Sequence, residues 1–184
     1  MKEYKSPYRH GADDGAWFGL YLAALFYSSA LSYRFPLLGT LTIVLVVSVP
    51  LVVYLTLRRT YIQESRTTSL SSLWMQGIIM FLCGSAIAGA ASVVYMKWVN
   101  PTYINDVVTM TIDLYRASPD QTLVEIADGL QRIMDAGALP TPISMVFTSI
   151  WTSVLTGSIL SLILGLIIRG VYPASSRRRN EVND

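Results

Sequence analysis

ISMVFTSIWTSVLTGSILSLILGLII, residues 143–168, is a run of 26 positions without a charged side chain. At 1.5 Å per residue, about 20 such positions in a helix cross the roughly 30 Å hydrocarbon core of a bilayer. Two earlier stretches read the same way: residues 37–57 give 21 uncharged positions and residues 73–96 give 24. One Arg or Lys at a helix centre would cost about 2.5–3.5 kcal/mol of insertion free energy, against about 0.5 kcal/mol gained per Leu or Ile. All three stretches avoid that penalty. The longer two exceed the minimum, so tilt or protruding ends are expected. A fourth stretch, residues 15–33, is shorter and rich in Ala, Gly, Tyr and Ser. Lys2, Lys5 and Arg9 precede it, and Ser28-Ser29-Ala30 has the small residues of a signal-peptidase site, so a cleaved signal peptide is the rival reading. The next apolar run starts only a few residues later, which suits a helical hairpin better.

The chemistry is sparse. Only 14% of the 184 residues are charged, where a soluble domain carries about a quarter. The single cysteine, Cys83, forms no intramolecular disulfide and no cysteine metal site. The single histidine, His10, falls in the N-terminal tail, so neither a Ser–His pair within the membrane nor a histidine metal site is available. No Asp, Glu, Lys, Arg or His lies near the middle of a span, whereas ion-coupled transporters and proton relays usually place one there. Phosphate-binding and dinucleotide-binding glycine motifs are missing. The expectation is a protein that is not an enzyme and uses no cofactor or metal. Asp13 and Asp14 read as N-terminal capping and dipole-compensating residues of the first span.

Basic residues give an orientation. Lys2, Lys5, Arg9, Arg58, Arg59, Arg66, Arg169 and Arg177-Arg178-Arg179 fall on one side of the implied membrane, ten of the 14 Lys and Arg residues. Arg34, Lys97, Arg116 and Arg132 fall on the other. The positive-inside rule then places both termini in the cytoplasm. The Arg177–Arg179 cluster reads as a topology signal: three arginines fall short of the four to eight of a lipid-binding patch, and no nucleic-acid partner is implied. Trp74 and Gln76 fall near the inner interface, Tyr95 and Trp98 near the outer one, where amphipathic side chains concentrate.

Residues 97–142 form the one sizeable segment outside. Asn100-Pro101 offers an N-cap and first helical residue, and Ile104, Val107, Val108, Thr111 and Tyr115 recur at helical spacing. Ser118-Pro119-Asp120-Gln121 restarts a helix with a Ser cap. Leu123, Ile126, Ala127, Leu130, Ile133 and Met134 follow, and Gly137 and Pro140 end the pattern. Asp106, Asp113, Asp120, Asp128 and Asp135 could offer carboxylates to a hard cation, but they lie opposite the apolar stripe and read as a solvated face. The apolar face must be buried on the bilayer, the bundle or a partner; its acidic surroundings favour protein.

Within the last span, Ser149, Ser153, Gly157, Ser161 and Gly165 recur every fourth residue, beside a second column of Ser144, Thr148, Thr152 and Thr156. Small residues at this step let helix backbones approach, and hydroxyls bond across the contact. The third span offers a matching face in Gly84 and Ala88, with Ser85, Gly89 and Gly77 nearby. Packing of spans three and four within the chain competes with a homodimer seam, and a small bundle must pack itself first. Pro50 removes one hydrogen bond inside span two and predicts a kink, tolerated where Ser48 or a neighbouring helix compensates.

Trp74-Met75-Gln76-Gly77 enters span three, Asn100-Pro101-Thr102-Tyr103-Ile104 leaves it, and a Gly- and Ser-rich last span closes at Arg169. With the span order, the inner basic loop and the helical insertion, these make the chain resemble a bacterial four-helix membrane family known as domain of unknown function 4199, over most of residues 15–170. The resemblance implies a bacterial cytoplasmic-membrane location and carries over no activity or functional residue.

The fold expected is therefore an all-α integral membrane protein. Residues 1–14 form a cytoplasmic tail, 15–170 a four-helix membrane domain with two short amphipathic extracytoplasmic helices within 97–142, and 171–184 a basic cytoplasmic tail. The function expected is a non-catalytic assembly, scaffold or regulatory subunit, embedded in the bilayer and joined to a membrane-protein partner or to itself. The alternative is a small transporter or channel for a neutral solute, lined by the hydroxyls of span four.

Overall fold

The computed structural model describes residues 6–32, 35–64 and 68–173. Lys2, Lys5, Arg34, Arg66 and the Arg177–Arg179 cluster, on which part of the orientation argument rests, lie outside the described residues. Among those described, the chain is all-α: α1 (Pro7–Leu31), α2 (Pro36–Gln63), α3 (Leu70–Val94), α4 (Tyr103–Arg116), α5 (Gln121–Asp135) and α6 (Pro142–Val171). A π-helical turn, Tyr95–Val99, extends α3. The chain divides into two units, Met1–Gly89 with Ser149–Asp184, and Ala90–Thr148.

Three helices are long and apolar enough to cross a membrane: α2, α3 with its π-helical extension, and α6. The helix over the expected first span, α1, is not among them. It also begins earlier than the apolar run, at Pro7, where Ser6 caps it by accepting from the Arg9 amide at 3.4 Å. Gly, Tyr, Ser and Trp dilute its hydropathy, and several of those residues make its contacts with other helices. The Tyr21 hydroxyl donates to the Leu45 carbonyl and shares a 2.7 Å hydroxyl contact with Ser48. Ser28 Oγ donates to the Leu38 carbonyl at 3.1 Å, and Thr42 Oγ1 donates to Ser28 at 3.1 Å. In hydrocarbon such bonds hold helices together where apolar burial between them gains little. Helix α2 continues through Pro50 without interruption, with the Ser48–Leu45–Tyr21 hydroxyl cluster one turn before it.

The core of the first unit joins all four of its helices: Phe18 from α1, Val53, Leu57 and Tyr61 from α2, Leu73, Met80 and Phe81 from α3, and Ile168 from α6. Phe18 and Phe81 meet edge to face, ring centres 4.9 Å apart. Below them, the Tyr61 hydroxyl donates to the Tyr172 carbonyl at 3.0 Å, and the Arg58 guanidinium lies 5.1 Å from the centre of the Tyr172 ring.

In the second unit, α4 and α5 form an antiparallel hairpin. Arg116 Nη2 donates to Asp128 Oδ1 at 3.0 Å near the turn, and Thr109 faces Met134 at the far end. Ile112 and Ala127 are buried between them. Both helices start later than the sequence suggested. Helix α4 begins at Tyr103: Asn100 instead closes the π turn by donating its amide to the Tyr95 carbonyl at 2.9 Å. Thr102 lies 2.9 Å from Asn100 Oδ1 and 3.0 Å from Asp106 Oδ2, so the polar side chains there bond to one another. Helix α5 is capped by Asp120, which accepts from the Thr122 amide at 2.9 Å, and not by Ser118. Asp oxygens reach that amide as well as a Ser hydroxyl does, so the sequence allows either start. Gly137, at φ 63, ends α5 in the left-handed region that a side chain disfavours. Asp106, Asp113, Asp120 and Asp135 are exposed, and Asp128 is engaged by Arg116.

Candidate functional site

The most concentrated polar chemistry lies at one end of the first unit. His10 and Asp14 are four residues apart on α1 and share a helix face; Thr60 lies in the last turn of α2, and Glu64 is the residue that caps its C-terminal end. Gln76 of α3 comes between. Its Nε2 donates to Asp14 Oδ2 and to Thr60 Oγ1, both at 2.8 Å, which uses both amide hydrogens. Gln76 is 1% exposed and Thr60 5%, so leaving either unbonded would incur the desolvation penalty of a buried polar group. One turn toward the helix end, His10 Nε2 lies 3.6 Å from Glu64 Oε1. Burial pushes the Asp14 carboxyl above its ordinary value of 3.8, outweighing the Gln76 hydrogen bond and the positive influence of His10 and Arg59; Asp13 adds to the rise.

Asp14 was read from sequence as a capping residue. The early start of α1 places it two turns inside the helix, where its partner is a side chain on α3. Gln76, placed near the inner interface by its position in the sequence, is buried as the bridge between three helices. Trp74 is partly exposed, and its indole N–H donates to the Ser158 carbonyl and hydroxyl of α6 at 3.1 and 3.0 Å.

Close helix contacts surround this cluster. In α1, Gly11, Gly15 and Gly19 form a ladder of their own, one turn apart, that packs on α3. A Cβ at Gly11 would come 2.8 Å from the Gln76 carbonyl, one at Gly15 2.7 Å from Cys83 Cβ, and one at Gly19 2.8 Å from Ile87 Cβ. Gly84 completes this seam from the α3 side: its neighbours are Phe18, Gly15 and Gly19 of α1, where the sequence argument had aimed it at span four. Ala88 is half-buried one turn beyond.

The α6 ladder divides. Gly157, Ser161 and Gly165 are buried. Gly157 faces the Phe81 ring, Ser161 presses on Gly77, and Gly165 faces Leu70. Ser149 is exposed and Ser153 half-buried, and Ser144, Thr148, Thr152 and Thr156 are exposed. Pro50 lies on the exposed side of α2. The sequence reading missed the α1 glycines because Gly11 precedes the apolar run, among charged residues.

Among the described residues no three His, Cys, Asp or Glu side chains converge on a point that could hold a metal ion. The cluster ties three helices together through side-chain hydrogen bonds; among the described residues it presents no activated nucleophile. No curated protein and no solved structure matches the chain. The model of a family described as protein of unknown function (DUF4199) matches residues 14–170, and the chain belongs to that family.

Proposed function

We propose that the protein is a four-span integral membrane protein that assembles with, or regulates, another membrane component and catalyses no reaction. In this reading α1 is the fourth span, beginning at Gly15, the α4–α5 hairpin lies outside, and both termini lie in the cytoplasm of a bacterial cell. What supports the orientation is the one-sided distribution of basic residues. What carries the functional reading is the division of the α6 ladder. Its inner rungs are consumed by packing on α3, while Ser149, Thr152 and Thr156 of the outer half stay exposed among Phe147, Trp151, Leu155 and Ile159. A small, hydroxyl-bearing stripe on an apolar helix suits close approach by another transmembrane helix. The hairpin adds exposed Met110, Leu114, Ile126 and Ile133. A transport role would need Thr152 and Thr156 to line a water-filled path, and their place on the outward side of α6 speaks for a helix partner instead.

The test is isolation of the native complex. Gentle solubilisation followed by native mass spectrometry is expected to return a stoichiometric membrane-protein partner or a homo-oligomer. Ser149→Leu with Thr152→Leu is expected to reduce its yield about tenfold, the consequence of losing about 1.4 kcal/mol at the contact. A monomer without stoichiometric company would overturn the proposal.

A further inference from the structure

We propose that the outer face of α5 is a self-association surface, on which a second copy of the chain docks antiparallel, Gly129 against Gly129. This rests on the assembly reading above and names a partner for it. Glu125, Gly129 and Arg132 follow one another at steps of four and three residues, and Ile126, Gly129 and Ile133 at steps of three and four. Gly129 therefore lies at the centre of one helix face, with Glu125 and Arg132 along one side and Ile126 and Ile133 along the other. Ile126 is 46% exposed and Ile133 43%; Glu125 and Arg132 are exposed as well. The opposite face of α5, with Ala127, is the one buried on α4.

Nothing within the chain calls for a glycine here. Gly129 lies inside α5, where glycine is the least favourable residue after proline. Its backbone is outside the left-handed region that Gly137 occupies, and a Cβ built on it meets nothing within 4 Å. Gly11, Gly15, Gly19 and Gly157, by contrast, each seat another helix. What Gly129 leaves is a notch floored by backbone, flanked by two exposed isoleucines, which another helix can approach closely.

The charges say what fills it. Asp128 is paired with Arg116, and Asp135 accepts from Gln131 at 2.9 Å. Among the described residues Glu125 and Arg132 have no ion-pair partner, so the face carries one charge of each sign. They lie on either side of Gly129, about 6 Å and 4.5 Å along the helix axis. A two-fold axis at Gly129 that reverses the helix direction sets Arg132 of one copy opposite Glu125 of the other, twice over. The same operation sets Ile133 opposite Ile126, also twice. A parallel pair would set Glu125 against Ile126 and Arg132 against Ile133, desolvating each charge without a partner. A uniformly basic partner would answer Glu125 and oppose Arg132. The face is thus complementary to itself, and in one orientation. The ion pairs fix that orientation, while the isoleucines and the close approach at Gly129 supply the affinity. One helix pair buries less than the about 800 Å² per partner of a standard interface, and confinement of both copies to one membrane supplies the effective concentration that offsets this.

The test uses the full chain. Gly129→Leu is expected to lower the dimer yield in native mass spectrometry about tenfold, through overpacking at the contact. Its unfolding midpoint is expected not to fall, since leucine is the better helix former and meets nothing in its own chain. Arg132→Glu creates two like-charged pairs in the dimer and is expected to reduce the yield about as much; adding Glu125→Arg restores opposite charges and, with them, the dimer. For the orientation, two tagged forms in a Cys83→Ala background, one Glu125→Cys and the other Arg132→Cys, are co-expressed and oxidised in native membranes with copper phenanthroline. A disulfide-linked dimer carrying both tags is expected. Either form alone is expected to yield almost none, because its cysteines lie about 9–12 Å apart along the axis, too far for a disulfide. Same-form dimers in excess of mixed ones, a Gly129→Leu protein that dimerises like wild type, or a double reversal that stays monomeric would overturn the antiparallel contact. A complex of one copy with a different protein would overturn it too and leave the assembly reading standing; a monomer under all conditions would overturn both.

Discussion

Replacing Gly157 with leucine is expected to lower the unfolding temperature of the detergent-solubilised protein by about 10 °C, while leucine at Gly170 of the same helix leaves it nearly unchanged. A Cβ at Gly157 would lie 2.2 Å from Cγ and 2.4 Å from Cδ2 of Phe81. Cγ is the ring atom bonded to Phe81 Cβ, so the clash is at the root of the ring. The ring has no easy retreat. Phe81 is 6% exposed, and it packs edge to face on Phe18, which in turn fills the space beside Gly84. Moving it disturbs α1 as well as α6. Overpacking a filled site costs about 1–3 kcal/mol, and in a chain of this length each kcal/mol shifts the midpoint by about 2–4 °C. Gly170 has nothing within 4 Å of a built Cβ, so it separates steric conflict from the general effect of leucine. Equal midpoints for the two variants would mean that α3 and α6 do not meet at Phe81.

Leucine at Gly15 is expected to be at least as damaging and to leave a second mark. Here the obstacles are Cys83 Cβ at 2.7 Å and the backbone of Met80, whose carbonyl oxygen and Cα lie 3.2 and 3.3 Å away. A helix backbone gives way only by moving the helix. The glycines one turn before and after, Gly11 and Gly19, are seated on the same helix, so no local adjustment frees Gly15. Separation of α1 from α3 should lower the midpoint by about 10 °C and raise alkylation of Cys83 about tenfold for every 1.4 kcal/mol lost from the closed state. An unchanged midpoint with Cys83 as slow as in wild type would remove the α1–α3 seam from the account.

These residues mark where sequence reasoning reached and where it stopped. Charge-free length is a one-dimensional property, so the apolar runs of α2, α3 and α6 are readable directly. Helical periodicity likewise exposed α4 and α5, with errors only at caps where two neighbouring residues could each serve. The ladder on α6 is legible as a repeat, but which helix faces each rung is not, because a four-residue step of small residues carries no address. Gly84 illustrates this: its spacing is as compatible with α6 as with α1, and bulk decides, since Phe18 needs the gap. The Asp14–Gln76–Thr60 bridge was hidden for another reason. Asp14 has an adequate local explanation as a cap and Gln76 as an interfacial amide, and nothing in the sequence singles out Thr60 from the other hydroxyls of α2. Only the early start of α1, set by Ser6 and Pro7 ahead of the apolar run, carries His10 and Asp14 onto the helix face that meets α2 and α3. The hydropathy that left α1 below the other three follows from the same facts, since glycines and hydroxyls that pack a helix also make it less apolar.

The central proposal is a membrane bundle with the α4–α5 hairpin on the far side from both termini, and one labelling experiment tests it most directly. A cysteine replaces the exposed Asp120 at the start of α5, in a chain whose Cys83 has been changed to alanine. Intact cells are treated with a membrane-impermeant maleimide, in the case of a double-membraned bacterium after permeabilising the outer membrane. The account predicts modification of residue 120 in intact cells, to the same extent as after lysis. Modification only after lysis would place the hairpin in the cytoplasm and contradict it.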